Sequence, residues 1–207
     1  MKKNKGFLVL LCWIPSLFAQ SDSLLLQAKL DAIQSMRSGF EQVIYAKARR
    51  LSTSSGDMAL QRPGRFLWNT KEPMPQKVIA DGTRLWVYDV DLEQVSVSAQ
   101  KKGLGPTAAL FLSDEKGSIE RDFIVRMEKI EGDFIFHMKT KSTQANIQKM
   151  ILRFRGETLH AMDLFDQLGQ RTQIVFKRPT MNLALPLNLF KFKPPRGVDV
   201  VKQDQGI

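Results

Sequence analysis

Few side chains in this sequence have types and spacings suited to chemistry. His137 and His160 sit in separate strand-like runs among apolar neighbours, with no short-spaced histidine pair beside them. Zinc needs three or four close nitrogen, sulfur or carboxylate ligands, so no metal site is expected and each histidine reads as a solvent-facing strand residue. Asp163 and Asp166 form a close acid pair. Three residues apart on a strand and its turn they point to opposite faces, which suits a solvated pair better than a general acid and base. Gly103-Leu104-Gly105 lacks the residues that would make it a phosphate loop, and no GxSxG elbow is present. No catalytic residue and no cofactor is expected, and the chain reads as a non-enzyme. There remains Arg62, a cation set among Phe66, Trp68, Trp86 and Tyr88 in the stretch from Gly56 to Ala99. Aromatics on strands enclose something apolar, either the protein's own core or a ligand cavity.

The elements that must position these residues follow from periodicity. Ser21 and Ser23 offer N-caps for a helix to about Arg37, whose stripe is Leu26, Leu30, Ile33 and Met36, with Gly39 closing it. From Phe40 the period changes to that of strands: FEQVIYAKARRL, GDMALQ, RFLWN, QKVIA, RLWVYDV and EQVSVSA, punctuated by SSGD, RPG, EPMP, DGT and DVD. Residues 100–118 interrupt the rhythm. There an apolar helical segment from Thr107 to Leu112 lies between Gly103, Gly105 and Gly117, as a hinged lid or as an ordinary crossover helix. A second set follows, DFIVRMEKI, DFIFHMK, IQKMILRFR, TLHAMDLFD and QRTQIVFK, then a Pro-limited turn and an edge strand at Phe190-Lys191-Phe192. The fold expected is mainly β (α+β): about eleven antiparallel strands curled into an unclosed barrel, with helices or a ligand filling it.

A length of 207 residues suits one domain. Residues 1–19 read as a cleaved signal peptide: Lys2, Lys3 and Lys5, an apolar run from Gly6 to Ile14, the Pro15 break, and an exit at Phe18-Ala19. The apolar run is too short to span a bilayer, which takes about 20 residues, so no stable membrane insertion is expected. Residues 20–207 then form the single mature, exported domain. Cys12 falls in the signal, and Leu11 before it is not the small residue that a lipidation site needs. The mature chain therefore has no cysteine. The whole chain carries 31 basic and 21 acidic residues, and losing the three signal lysines leaves 28 against 21, a balance of +7. That charge favours anionic surfaces or an acidic partner. Nucleic acid is not expected, since the chain is exported and its cations are dispersed along it.

Four ordered segments resemble the LolA family of periplasmic outer-membrane lipoprotein carriers. They are Gln61-Arg62-Pro63-Gly64-Arg65-Phe66-Leu67-Trp68, Asp81 to Tyr88 with Asp91-Leu92-Glu93-Gln94, Leu110-Phe111-Leu112-Ser113, and Phe190-Lys191-Phe192-Lys193-Pro194-Pro195-Arg196-Gly197-Val198. The resemblance implies an unclosed antiparallel barrel with a helical lid over a hydrophobic cavity. It also implies a monomeric chaperone that takes triacylated lipoproteins from an inner-membrane ABC-type releasing complex to an outer-membrane lipoprotein receptor. The family's lid-locking arginine falls on Arg62. Its acyl-chain wall falls on Phe66 and Trp68, with Val78, Leu30, Met36, Leu110, Phe111 and Leu112 expected beside them. A turn arginine with a solvated head is the plain alternative for Arg62. Arg65 adds a second cation whose direction the sequence leaves open. The rival function is a same-fold periplasmic lipid-binding or regulatory protein that senses lipidated ligands without transporting them.

Overall fold

The structure, a computed structural model, describes residues 17–100 and 118–203. Helix α1 (Leu17–Asp31) opens it. Six strands follow: β1 (Ser35–Ala46), β2 (Arg49–Gln61), β3 (Arg65–Glu72), β4 (Gln76–Asp81), β5 (Arg84–Asp89) and β6 (Gln94–Ala99). A short helix α2 (Ser118–Asp122) leads into β7 (Phe123–Ile130), β8 (Asp133–Thr140), β9 (Ile147–Arg155), β10 (Thr158–Asp166) and β11 (Gln170–Met181). A 3-10 turn (Leu187–Phe190) and β12 (Asp199–Lys202) complete it. All twelve strands form one sheet in the order β12-β6-β5-β4-β3-β2-β1-β11-β10-β9-β8-β7, with β7 and β12 at its two unjoined edges. Every pairing is antiparallel except that of β12, which runs parallel to β6.

Strand parity divides the sheet into two faces. Phe40, Met58, Leu60, Phe66, Ala80 and Leu85 share the inner face with Phe136, Leu152, Phe154, Met162, Ile174 and Phe176, and α1 adds Leu26 and Leu30 to the same apolar cluster. Helix α1 packs on the β7 side of the sheet, where the Asp22 carboxylate accepts the Met127 N–H at 3.0 Å. On the outer face, Phe192 from the C-terminal segment leans on Trp86 and Tyr88, with ring centroids 5.7 and 5.8 Å apart, and Phe190 is fully buried.

Several expectations need correction. The helix ends at Asp31, not near Arg37, so Met36 belongs to β1, although all four stripe residues are buried. Ser21 and Ser23 lie inside the helix and not at its cap. Gly39 is a strand residue paired with Asp57 and Lys177. The long run from Phe40 folds back at Lys47-Ala48, both in the left-handed region (φ 46° and 65°), a two-residue hairpin turn that lacks its usual Asn-Gly signature. SSGD is no turn but the middle of β2. Phe190-Lys191-Phe192 forms no strand; the edge strand is β12, which brings the count to twelve.

Candidate functional site

The inner wall of the β1–β6 half is built on Phe40, Phe66 and Trp68. Phe66 and Trp68 alternate with Leu67 on β3, so both face inward, and their rings stack at 6.1 Å. Phe40 reaches across β2 to stack on Trp68, centroids 3.9 Å apart with the planes tilted by 25°. Gly56 on β2, opposite Phe40 in register, makes that contact possible: a Cβ there would run into the Asn69 carbonyl and come within 3.0 Å of the Phe40 ring. Val78 pairs with Trp68 on one side and Val87 on the other, continuing the wall. Phe66, Leu30 and Met36 are fully buried members of the cluster, whereas Trp68 and Val78 pack against it half exposed. The expected wall residues within the described part of the chain thus come together, and those two keep accessible apolar surface. Leu110, Phe111 and Leu112, and with them the lid, lie outside the described residues.

Arg62 stands at one end of this wall, in the β2–β3 turn. Its backbone N–H donates to the Gln34 carbonyl at 2.9 Å, its Nε to the Ile33 carbonyl at 3.0 Å, and its Nη2 to the Leu30 carbonyl at 3.4 Å. Leu30 belongs to the last turn of α1, whose carbonyls have no partner within the helix and carry the negative end of its dipole. The guanidinium therefore grips the joint between α1 and β1. Asn182 holds the same joint from the other side, donating from Nδ2 to the Ala32 carbonyl at 2.9 Å and accepting the Gln34 N–H at 2.8 Å. Gln100 ties the Arg62 turn to the next hairpin: its amide donates to the Gly64 carbonyl and its oxygen accepts the Gly82 N–H. Beside it, partial burial pushes the Asp81 carboxyl up. The N–H groups of Arg84 and Thr83 and the Trp86 indole outweigh that and hold it below its ordinary value.

Among the other charged groups, Asp163 departs from expectation. Arg65 faces outward, in register with Gln61 and Asp81, away from the Arg62 joint. Asp163 is not solvated: it is 1 % exposed and pairs with Arg153 at 2.7 Å, while Asp166 caps its own turn by accepting the N–H groups of Leu168 and Gln170. The cation that orders Asp163 comes from β9, ten residues away, where spacing within β10 gives no sign of it. His137 and His160 are half-buried and meet Glu128 and Asp133, at 2.8 and 3.1 Å. Lys29 is a buried cation within the helix's apolar face. Its Nζ donates to the Gly156 carbonyl at 2.9 Å and to Glu157 at 2.8 Å, and lies 4.4 Å from the Phe134 ring centre. Asn182, Gln100 and Lys29 carried no sequence motif, since each is defined by a partner far along the chain.

A single open sheet with an apolar inner wall, held at one end by a helix-to-strand joint, defines a half-barrel binding protein. Residues 31–193 match the family model described as outer membrane lipoprotein carrier protein LolA. An outer-membrane lipoprotein carrier protein of Legionella pneumophila (strain Corby) is 51% identical over 202 residues, covering 97% of this chain and 100% of that one. One from Azotobacter vinelandii is 37% identical and covers 84% of each. The chain belongs to the LolA family. Solved structures share the fold at low identity: an uncharacterized conserved protein from Thermus thermophilus (TM-score 0.56, 9% identity, 89% of this chain and 99% of that one) and MucB (TM-score 0.52, 14% identity, 84% and 62%).

Proposed function

We propose that this chain is a periplasmic carrier that binds the acyl chains of lipoproteins and delivers them to the outer membrane. The observation that carries this reading is the 51% identity, from end to end, with an outer-membrane lipoprotein carrier protein. Residues 1–19 direct export and are removed, and residues 20–207 form one monomeric carrier domain. Each acyl methylene withdrawn from water gains about 0.8 kcal/mol, so a lipidated protein stays in its membrane unless something offers comparable apolar area. Trp68 and Val78 present that area over the buried base of Phe66, Leu30 and Met36, and the family resemblance adds Leu110, Phe111 and Leu112 as further acyl-chain residues. Arg62 is the reversible latch. Cargo comes from an inner-membrane ABC-type releasing complex and passes to an outer-membrane lipoprotein receptor, and no bond is made or broken.

The test is to purify the mature chain from cells and identify what it holds by mass spectrometry. Copurified triacylated lipoprotein is expected. Its absence, together with exclusion of a fluorescent apolar probe, would overturn the reading.

A further inference from the structure

Strand register gathers cations that are scattered along the sequence. On the outer face Lys139 lies opposite Lys149, Lys149 opposite Phe165, Phe165 opposite Arg171, Arg171 opposite Tyr45, and Tyr45 opposite Arg50. One row thus crosses six strands from β8 to β2, with four cations, two aromatics and no carboxylate. The aromatics seat the cations: Lys149 Nζ lies 5.1 Å from the Phe165 ring centre, and the Arg171 guanidinium 4.5 Å from that of Tyr45. The row runs beside the hairpin ends opposite to Arg62. There the β1–β2 turn adds Lys47, and two leucines stand out into solvent, Leu51 on β2 at 52% and Leu168 in the β10–β11 turn at 85% exposure.

Only Arg171 in this row has an acidic neighbour. Among the described residues Lys47, Arg50, Lys139 and Lys149 form no ion pair, and the Arg171 guanidinium makes no hydrogen bond. That neighbour is the buried Asp163, whose Oδ1 lies 3.9 Å from Arg171 while its Oδ2 pairs with Arg153 at 2.7 Å, so one carboxylate is shared by two cations. A cationic strip with charged heads seated over aromatic rings and bare leucines beside it matches the interface of an anionic bilayer. Headgroup phosphates satisfy the cations, and leucine tips enter the acyl boundary. A soluble polyanion would take up the charge but give the leucines no apolar medium.

We propose that this end of the sheet docks the protein on the surface of anionic phospholipid bilayers. Phosphates would meet Arg50, Lys139, Lys149 and Arg171, and Leu168 would dip into the interface. The site is separate from the inner wall and faces away from the Arg62 joint, so a docked carrier keeps that joint free. It stands whether or not the cargo is a lipoprotein.

The experiment is co-sedimentation of the mature chain with vesicles of equal parts phosphatidylethanolamine and phosphatidylglycerol, with phosphatidylcholine vesicles and soluble heparin as comparisons. The wild type is expected to sediment with the anionic vesicles only and to be released by high salt. The triple variant Arg50→Ala, Lys139→Ala, Lys149→Ala should lose binding by about a hundred-fold, since each surface cation contributes about five-fold. Leu168→Ser should weaken vesicle binding but leave heparin binding unchanged. These side chains are exposed, so unchanged unfolding midpoints are expected, and the salt response of the wild type needs no variant. Equal binding to neutral vesicles would place the contact in the apolar inner wall. That result, no binding to anionic vesicles, undiminished binding of the triple variant, or indifference to Leu168→Ser would each overturn the proposal.

Discussion

Replacing Arg62 with leucine separates a latch from a mere turn residue. Arg62→Leu keeps the backbone N–H to Gln34 and much of the side-chain bulk but removes both guanidinium bonds to the α1–β1 joint. A charged donor at 3.0 Å is worth about 1.5 kcal/mol at the low end, which suits a half-exposed group, and the bond at 3.4 Å adds little. A cation at a helix C-terminus contributes roughly another 0.5 kcal/mol. A stability loss of about 2 kcal/mol follows, a fall of about 4 to 8 °C in Tm for a domain of this size. Chemical denaturation gives the first quantity, and a two-stage assay gives the functional one: release of lipoprotein from inner-membrane vesicles, then transfer to the receptor. The expected variant is folded, loads cargo and delivers it poorly, while Arg62→Lys, which keeps the charge but not the forked donors, falls between. Stability within about 0.5 kcal/mol of wild type would refute the grip on the joint. Delivery at the wild-type rate would refute the latch.

Three further outcomes follow from the same contacts. Lys29→Ala should cost about 2 to 4 kcal/mol in chemical denaturation, because it removes the stem packed on Phe134 and the donor to Gly156, and Lys29→Met should recover most of that loss. Ala48→Gly, at φ 65° in the β1–β2 turn, should raise stability by about 1 kcal/mol, measured by the shift in denaturant midpoint. Hydrogen bonds from Arg155, with that cation's charge and His160 beside it, hold the Asp133 carboxyl below its ordinary value, and backbone donors do the same for Asp81. Both are lowered in the folded state, so their contribution is complete above the unfolded carboxylate pKa of about 4 and is lost as pH falls through the folded values. Stability measured from pH 7 downward should therefore stay flat to about pH 5 and then decline, and Asp81→Asn should shallow that decline.

Strands bounded on both sides by turn residues were legible in the sequence. The run from Ile147 to Arg155 and the run from Thr158 to Asp166 carry their own boundaries, because a Gly-containing turn separates two half-buried faces. The β1–β2 hairpin was hidden because Lys47-Ala48 adopts left-handed backbone without a residue that favours it. Gly56 in turn looked like punctuation when its role is close approach beneath Phe40. At the site, Arg62, Phe66 and Trp68 carried a family pattern. Phe40 did not, since its stacking on Trp68 depends on register across β2. Trp86 and Tyr88 share the aromatic stretch with Trp68 but lie on the other face, and only strand pairing shows that Phe192 covers them. Partners distant in sequence set Asn182, Lys29 and the buried Asp163, which is why no local spacing revealed them.

The most direct measurement places a photo-crosslinking side chain at Trp68 or Val78 on the inner wall, and at Val175 on the outer face as the comparison, and loads each variant with lipoprotein. Cross-links are expected at 68 and 78, not at 175, and only with acylated cargo. Cross-linking at 68 and 78 that persists with cargo lacking acyl chains, or that appears only at 175, would contradict the assignment of the inner wall as the acyl-chain site.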